Sequence, residues 1–299
     1  MLGKNVTIIG GSGGMGKVFA RYFKKHGFNV ILYARNEDIL RREAKELKVK
    51  YLTNLEESVK DADIVMVSIP IRTTPDMIKE VAPYLKDNAI LFDISSIKSS
   101  VFKVLDEARK QYPINCLSLH PMFGPGIINM RNYVIIVIKV GGTREYANLI
   151  KELLQIFKSD GLILTETDPI LHDKQVALTL GVPHMLNIIF LNLLKNTNFS
   201  LRELTKYTGT TFLLQKVFAE SIIQREMEMF GEIQIENHEF LYILDLLENL
   251  IQEYKTIIYN KDFNEFEKIF TQGLEYSKED SHFQNSYKYF YEFMKILKK

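Results

Sequence analysis

Cysteine is almost missing from this sequence. A single one, Cys116, in 299 residues excludes an intramolecular disulfide and any zinc site built on cysteine pairs. It falls in an apolar, strand-like run, where a thiol is expected to be buried and inert. Net charge is nearly missing too. With 38 Lys and Arg against 37 Asp and Glu, the formal charge is +1. Nothing in that balance suggests a surface for nucleic acid or an acidic membrane. Met1-Leu2-Gly3-Lys4 runs straight into a strand pattern without the apolar segment of a leader, so a cytoplasmic location is expected. No internal repeat, low-complexity tract or proline-rich linker stands out. Gln175 to Leu194 lacks Asp, Glu, Lys and Arg and is long enough to span a bilayer. It also holds Gly181, Pro183, His184, Asn187 and Asn192, so a buried core helix is the expectation and no membrane partner is.

What is present reads as a soluble globular chain. Hydrophobic residues make up 46% and charged residues 25%, and the length suggests two domains. Asn5 to Ile9 is a short apolar strand running into Gly10-Gly11-Ser12-Gly13-Gly14-Met15-Gly16, and a helical pattern follows over Lys17 to His26. A Gly-x-Gly-x-x-Gly match at Gly11, Gly13 and Gly16 carries weight in that setting. The first glycine serves the turn, the second lets backbone approach a pyrophosphate, and the third lets helix pack on strand. The free N–H groups at the helix start then face phosphate. Gly11, Ser12, Gly13, Gly14, Met15 and Gly16 are thus expected to hold a dinucleotide. The second strand, Asn29 to Ala34, ends without the carboxylate that would bind the ribose of NAD. Arg35 lies just beyond it, which favours NADP, because a guanidinium pairs with a 2′-phosphate. Glu37 and Asp38 keep NAD open.

Strand and helix patterns then alternate. Strands are expected near Lys50–Leu52 and over Asp63–Ile69, Asn88–Ile94, Asn115–Leu119, Val134–Val140 and Gly161–Thr165. Helices are expected over Glu37–Leu47, Thr74–Leu85 and Thr143–Ser159. The alternation predicts an α/β fold, a doubly wound parallel sheet. Ligands of such sheets bind at the carboxyl ends of the strands. That edge receives Ser68 and Pro70 as further cofactor contacts, Ser95, Ser96 and Lys98 from another strand, and His120 from a third. His120, followed by a proline- and glycine-rich loop, is the candidate catalytic base. From about Asp168 only helical periods remain: His172–Leu194, Leu201–Tyr207, Thr211–Phe230, Glu236–Tyr259, Asp262–Ser277 and Tyr287–Leu297. The expected domains are 1–166, dinucleotide-binding, and 167–299, all-helical. Phe240, Ile243, Leu244, Leu247, Leu250, Ile251, Tyr254, Ile257 and Ile258 form an apolar face broad enough to need more than one neighbour. A homodimer through the helical domain would bury it, and so would packing within one subunit.

Several blocks, in order, resemble the prephenate and arogenate dehydrogenases of tyrosine biosynthesis. The glycine turn, including Met15, is similar to the family's. Asp93-x-x-Ser96-x-Lys98 looks like its Asp-x-x-Ser-x-Lys block, and His120-Pro121-Met122-Phe123-Gly124-Pro125 like its His-Pro-Met-x-Gly signature. His172-Asp173 with Pro183-His184 resembles the opening of its helical domain, and Phe263 to Ser281 its terminal helix block. The resemblance implies oxidative decarboxylation of prephenate to 4-hydroxyphenylpyruvate, with hydride passing to NAD or NADP. It implies His120 and Ser96 as catalytic residues at the substrate hydroxyl. It also implies Lys98 and His184 near the substrate, with Lys98 able to orient its loop instead. Aromatisation drives the reaction, so no metal is expected.

One position departs from the pattern. Where bacterial members carry an arginine after a tyrosine, Tyr207-Thr208-Gly209 places Thr208. The substrate carboxylates then need another cation, and Arg225, Lys216, Arg202, Arg72 and Lys174 are the candidates. Arogenate is the alternative substrate. A β-hydroxyacid-type dehydrogenase using Lys174, and a dinucleotide-sensing regulator, are the readings of other classes.

Overall fold

In a computed structural model the described residues are 3–225 and 227–297. They divide into two compact units. One runs through Val176 and takes back Gly231–Asn237; the other holds Ala177–Phe230 and the chain from His238 onward. The division falls after Val176, later than the sequence boundary at Glu166, because a helix that follows the sheet stays with the sheet.

The first unit is built on eight strands: β1 (Asn5–Ile9), β2 (Asn29–Tyr33), β3 (Lys50–Leu52), β4 (Ile64–Val67), β5 (Ile90–Asp93), β6 (Asn115–Pro121), β7 (Val134–Gly141) and β8 (Ile163–Glu166). Their order is β3-β2-β1-β4-β5-β6-β7-β8. The strands from β3 to β6 pair in parallel, as the sequence suggested, but β7 runs antiparallel to β6 and parallel to β8. The helices here are α1 (Gly14–Lys25), α2 (Glu37–Leu47), α3 (Leu55–Val59), α4 (Thr74–Val81), α5 (Ser99–Gln111), α6 (Tyr146–Ser159) and α7 (Pro169–Val176). The short α3 lacks a readable period. Asn54 marks it, since its side chain accepts from the Glu57 N–H.

Successive strand residues point to opposite faces. Val6, Ile8, Ile64, Met66, Ile90 and Phe92 enter one core with Phe19, Phe23 and Phe157. Ile9, Val65, Val67 and Leu91 enter a second core with Ile78, Val101 and Leu105. Both faces are covered, and so β4 reads as an unbroken apolar run rather than an alternating one. Cys116 is fully buried there, and burial pushes its thiol up to about 12, so it is inert.

The second unit holds α8 (Val182–Lys195), α9 (Leu201–Leu204), α10 (Thr210–Ile223), α11 (Met227–Ile235, whose end returns to the first unit), α12 (Phe240–Asn260), α13 (Phe263–Ser277) and α14 (Ser286–Leu297). The pattern expected as one helix over Thr211–Phe230 is two, α10 and α11, parted around Gln224 and Arg225. A π turn at Ala177–Gly181 joins α7 to α8, where the sequence showed only a soft break. Its Gly181 lies under Phe240, whose ring a Cβ would meet at 2.6 Å.

Pro169–Lys195 is a helical run of 27 residues, long and apolar enough to cross a membrane, and 28% of its most apolar window is buried. The expected core helix is therefore corrected. Along α8, Met185 and Asn187 are buried, whereas Leu186, Ile189 and Leu193 are exposed. Its apolar residues surround more than one face, and α10 covers one side. On α12, Phe240 and Ile257 are buried, while Ile243, Leu244 and Leu247 pack on the small core of Ala177 and Met185. Leu250, Ile251, Tyr254 and Ile258 remain exposed.

Candidate functional site

The order β3-β2-β1-β4 reverses direction between β1 and β4, and such a switch point opens a crevice at the strand ends. The glycine turn fills one side of it. Gly10 carries the positive φ of +80°, so the turn itself rests on Gly10 rather than on Gly11. Gly11 is required for a different reason: a Cβ would lie 2.8 Å from Leu32 Cδ2. At Gly16 a Cβ would collide with the Gly10 carbonyl, which is the close helix–strand approach expected of the third glycine. Gly13 caps α1 without a side chain and is exposed, leaving the helix N-terminus clear for an anion. Met15 is half-buried against the first core, and Ser12 is half-buried in the turn.

The other wall is the end of β4. A Cβ at Gly10 would strike the Ser68 carbonyl, so Ser68 lies directly against the turn. Pro70 follows and is exposed. Beyond it, Glu232 accepts from the Ile71 N–H at 2.6 Å and from Arg72 Nε at 3.1 Å. Glu232 is buried. Nothing in the local sequence marks this pairing, since the partners lie 161 and 160 residues apart. It removes Arg72 from the unengaged cations. Arg35 is exposed just past β2, next to Tyr33, whose carbonyl accepts from Gly10 and Gly11.

The ends of β5 and β6 form the polar centre. The register pairs Asp93 with Ser118, so Ser95 and Ser96 reach the level of His120 on the neighbouring strand. His120 lies inside β6 rather than after it, and is 3% exposed. Ser95 donates to Thr74 Oγ1 at 3.3 Å, and its N–H donates to Asp93. The Ser96 hydroxyl is half-buried and meets no hydrogen-bonding partner among the described residues.

Lys98 is fully buried. Its ammonium donates to Asp93 Oδ2 at 2.7 Å and to the Leu119 carbonyl at 2.6 Å, and Ser118 donates to the other Asp93 oxygen. Of the two roles expected for Lys98, this fits orientation of the loop beside His120 and not contact with substrate charge. Burial pulls its pKa below the ordinary value, against the opposing pull of Asp93.

His120 Nδ1 lies 2.9 Å from His172 Nε2, and His172 Nδ1 lies 2.8 Å from Asp173 Oδ1. The Lys98 N–H, the Ser99 N–H and the Ser99 hydroxyl all donate to the Asp173 carboxylate. Asn237 Nδ2 donates to the Asp173 carbonyl at 2.8 Å. His172 is fully buried and Asp173 nearly so. Burial holds His120 well below the ordinary histidine pKa, with help from His172 and Lys98. Burial also lowers His172, opposed by its bond to Asp173. Asp173 is held below the usual carboxylate range by these donors despite its burial. Both imidazoles are thus neutral near pH 7 and one carboxylate is charged. His172-Asp173 was visible in the sequence only as part of a resembling block; its place beside His120 comes from α7 packing against α5.

His184 belongs to the second unit, at the start of α8. It stacks edge-on against Phe230 with ring centroids 4.7 Å apart, and its buried Nδ1 has no hydrogen-bonding partner. Burial lowers its pKa, and so does the charge of Arg225, which places Arg225 near it. At Thr208 the hydroxyl turns back to the Leu204 carbonyl at 3.2 Å. Lys174 is exposed on α7, whereas His172 and Asp173 beside it are buried. A separate cleft of about 450 Å³ is lined by Arg21, Tyr22, Ile128, Arg131 and Asp160, and includes none of the residues expected at the site.

Comparison with known proteins agrees with this layout. Residues 19–133 match the model described as "Prephenate dehydrogenase, nucleotide-binding domain", and residues 168–272 the one described as "Prephenate dehydrogenase, dimerization domain". A protein of Methanocaldococcus jannaschii named "Probable arogenate/prephenate dehydrogenase" is 31% identical over 271 residues, 91% of this chain and 60% of its own length. The T-protein of Haemophilus influenzae is 26% identical over 257 residues, 86% of this chain and 63% of its own. The chain thus spans about three fifths of the length of these curated relatives. Among solved structures, the prephenate dehydrogenase of A. aeolicus in complex with hydroxyphenyl propionate and NAD+ superposes with a TM-score of 0.77. It is 21% identical and covers 94% of this chain and 99% of its own. The arogenate dehydrogenase of Synechocystis gives a TM-score of 0.69 at 16% identity, over 92% and 99% of the two chains. These two likenesses establish the shared fold. With both domain models matched in order on a sheet and helical unit of this kind, the chain belongs to the prephenate and arogenate dehydrogenase family.

Proposed function

We propose that the protein oxidises prephenate to 4-hydroxyphenylpyruvate and carbon dioxide with NAD(P)+, with arogenate as the alternative substrate. The observation that carries this reading is His120. It is a buried neutral imidazole at the ligand-binding edge of the sheet, anchored through Nδ1, with Nε2 unmatched by any described protein group. The crevice of Gly10, Gly11, Gly13 and Gly16 fits a dinucleotide pyrophosphate, and a nicotinamide cofactor bound there supplies the hydride acceptor. Hydride loss from a carbinol carbon builds positive charge unless the hydroxyl proton is drawn off, and a neutral imidazole within reach draws it. The Ser96 hydroxyl, with no hydrogen-bonding partner among the described residues, orients the same oxygen. The substrate carboxylates still call for a cation in place of the arginine that Thr208 displaces. A homodimer through the helical unit belongs to the same proposal, supported by the exposed apolar half of α12. So does a cytoplasmic location, supported by a small anionic substrate.

The test is absorbance at 340 nm with prephenate or arogenate, each with NAD+ or NADP+. Turnover with one pair fixes substrate and cofactor together. Silence in all four, from protein that binds a dinucleotide, would overturn the reading. NADP is the expected cofactor. Arg35→Ala should then weaken NADP by about ten- to a hundredfold, the range of one charged hydrogen bond of roughly 1.5–3 kcal/mol, and leave NAD nearly unchanged. Equal losses would show that Arg35 does not read the 2′-phosphate.

A further inference from the structure

We propose that His172, oriented by Asp173, is a positioning residue that fixes the tautomer of His120, so that Nε2 is the bare nitrogen facing the substrate hydroxyl. This rests on the oxidation proposed above. The inference follows from counting donors along a buried chain. An ionised carboxylate only accepts hydrogen bonds. Asp173 already takes three from Lys98 and Ser99, and His172 Nδ1 adds a fourth at 2.8 Å. His172 Nδ1 therefore carries a proton. In a neutral imidazole the other nitrogen is then bare, so His172 Nε2 accepts. At 2.9 Å from it, His120 Nδ1 must be the donor, because two lone pairs facing each other there would repel. His120 is left with its proton on Nδ1 and a lone pair on Nε2. One carboxylate, read through one imidazole, sets the state of the next.

The groups facing His172 are His120 on β6, Asp173 on its own helix, Lys98 before α5 and Asp93 on β5. Lys98 is tied to Asp93 and the Leu119 carbonyl, so its ammonium does not compete for His172.

The arrangement suits a reaction that lends a proton rather than discards one. As the carbinol C–H bond breaks, the hydride leaves with its electron pair for the nicotinamide ring. The O–H bond breaks and an N–H bond forms at His120 Nε2. The bond to the departing carboxylate then breaks, and its electron pair aromatises the ring. The former hydroxyl oxygen takes the proton back to become a phenol. No proton has to reach solvent, which accords with two imidazoles 3% and 0% exposed. While His120 is cationic, its Nδ1–H bond to His172 becomes charge-assisted and stronger.

The experiment is histidine-¹⁵N NMR of the full chain with dinucleotide bound, with His120 assigned by its loss in His120→Asn. The expected result is a protonated Nδ1 and a bare Nε2 on His120. A proton on Nε2 would overturn the inference in wild-type protein, whatever any variant does. In kinetics, His172→Phe should lower kcat on the order of a hundredfold with KM within about threefold, and His172→Gln, which can still accept at that position, should recover most of it. Equal losses in Phe and Gln variants that keep the wild-type helical circular dichroism would refute tautomer control. The proposed reaction stands or falls on wild-type turnover, and the tautomer on the spectrum, so the two failures are separable.

Discussion

In the sheet unit, Ile8, Leu32, Ile64, Val65, Leu91 and Leu117 are all shut off from solvent. In the helical unit, α12 is just as apolar in sequence, yet Leu250, Ile251, Tyr254 and Ile258 are 55%, 55%, 46% and 58% exposed. The difference is one of available neighbours. A parallel sheet brings its own crossover helices to both faces, so its apolar pattern is used up within the subunit. A helix offers a wide apolar surface, and the small core of Ala177, Met185 and Phe240 covers only the first half of α12. The sheet unit buries Asp93, Lys98, His120, His172 and Asp173 together, each with partners. Buried groups without a hydrogen-bonding partner occur in both units, Arg109 Nε, Tyr146 Oη and Thr167 Oγ1 in the sheet unit and His184 Nδ1 in the helical one. The contrast therefore lies in the apolar surface, which the sheet unit buries and the second half of α12 leaves exposed.

The contrast can be broken most strongly at Asp93. Asp93→Ala would leave the Lys98 ammonium buried without its counter-charge, and removing one partner of such a pair costs about 3–5 kcal/mol. Denaturant titration followed by circular dichroism should show a loss of that size. A loss below about 1 kcal/mol would mean the pair is not the closed unit described here. In the helical unit the corresponding change acts on association. Leu250→Asp should shift the chain from dimer to monomer in sedimentation, as each large apolar side chain buried contributes roughly 1.5–3 kcal/mol. An unchanged mass would move the interface away from the second half of α12.

Acid provides the finer comparison. His120 and His172 are both held below the ordinary histidine value by burial, so the unfolded chain binds their protons more readily. Their contribution is fully present above about pH 6.5 and is lost as pH falls from there toward the lower folded values. Each proton costs about 1.4 kcal/mol per pH unit in that window. Asp173 acts in the same direction at lower pH, between the usual carboxylate value and its depressed one. In the helical unit His184 is the histidine with a lowered value among the described residues, through burial and the charge of Arg225. Hydrogen exchange at pH 7 and pH 5.5 should therefore show β5 and β6 losing more protection than α10 and α13. Uniform loss across both units would contradict the paired-imidazole account.

Much of this was legible beforehand because it is local. A strand, a glycine turn and a helix lie within the first 26 residues, and short range is enough to read them. The spans of α2 and β3 followed from apolar period and flanking signals. His120 and Ser96 were readable as strand-end residues, since a doubly wound sheet sends every carboxyl end to one edge. Lys98 was readable as important but not as buried, because its partners Asp93 and Leu119 converge only when β5 and β6 pair. The break between α10 and α11 was hidden, since the apolar pattern runs on through Gln224 and Arg225 without glycine or proline to mark it.

The sequence by itself determined the α/β order, the glycine turn at the switch point, the wholly helical second half and the family. It did so because periodicity, turn residues and ordered motifs are properties of neighbours along the chain. The tertiary structure alone decided that β7 turns antiparallel, that Glu232 holds the loop after β4, and that His172 and Asp173 stand behind His120. The last two depend on residues 52 to 161 positions apart meeting in a buried space, where hydrogen bonds left unmade are costly.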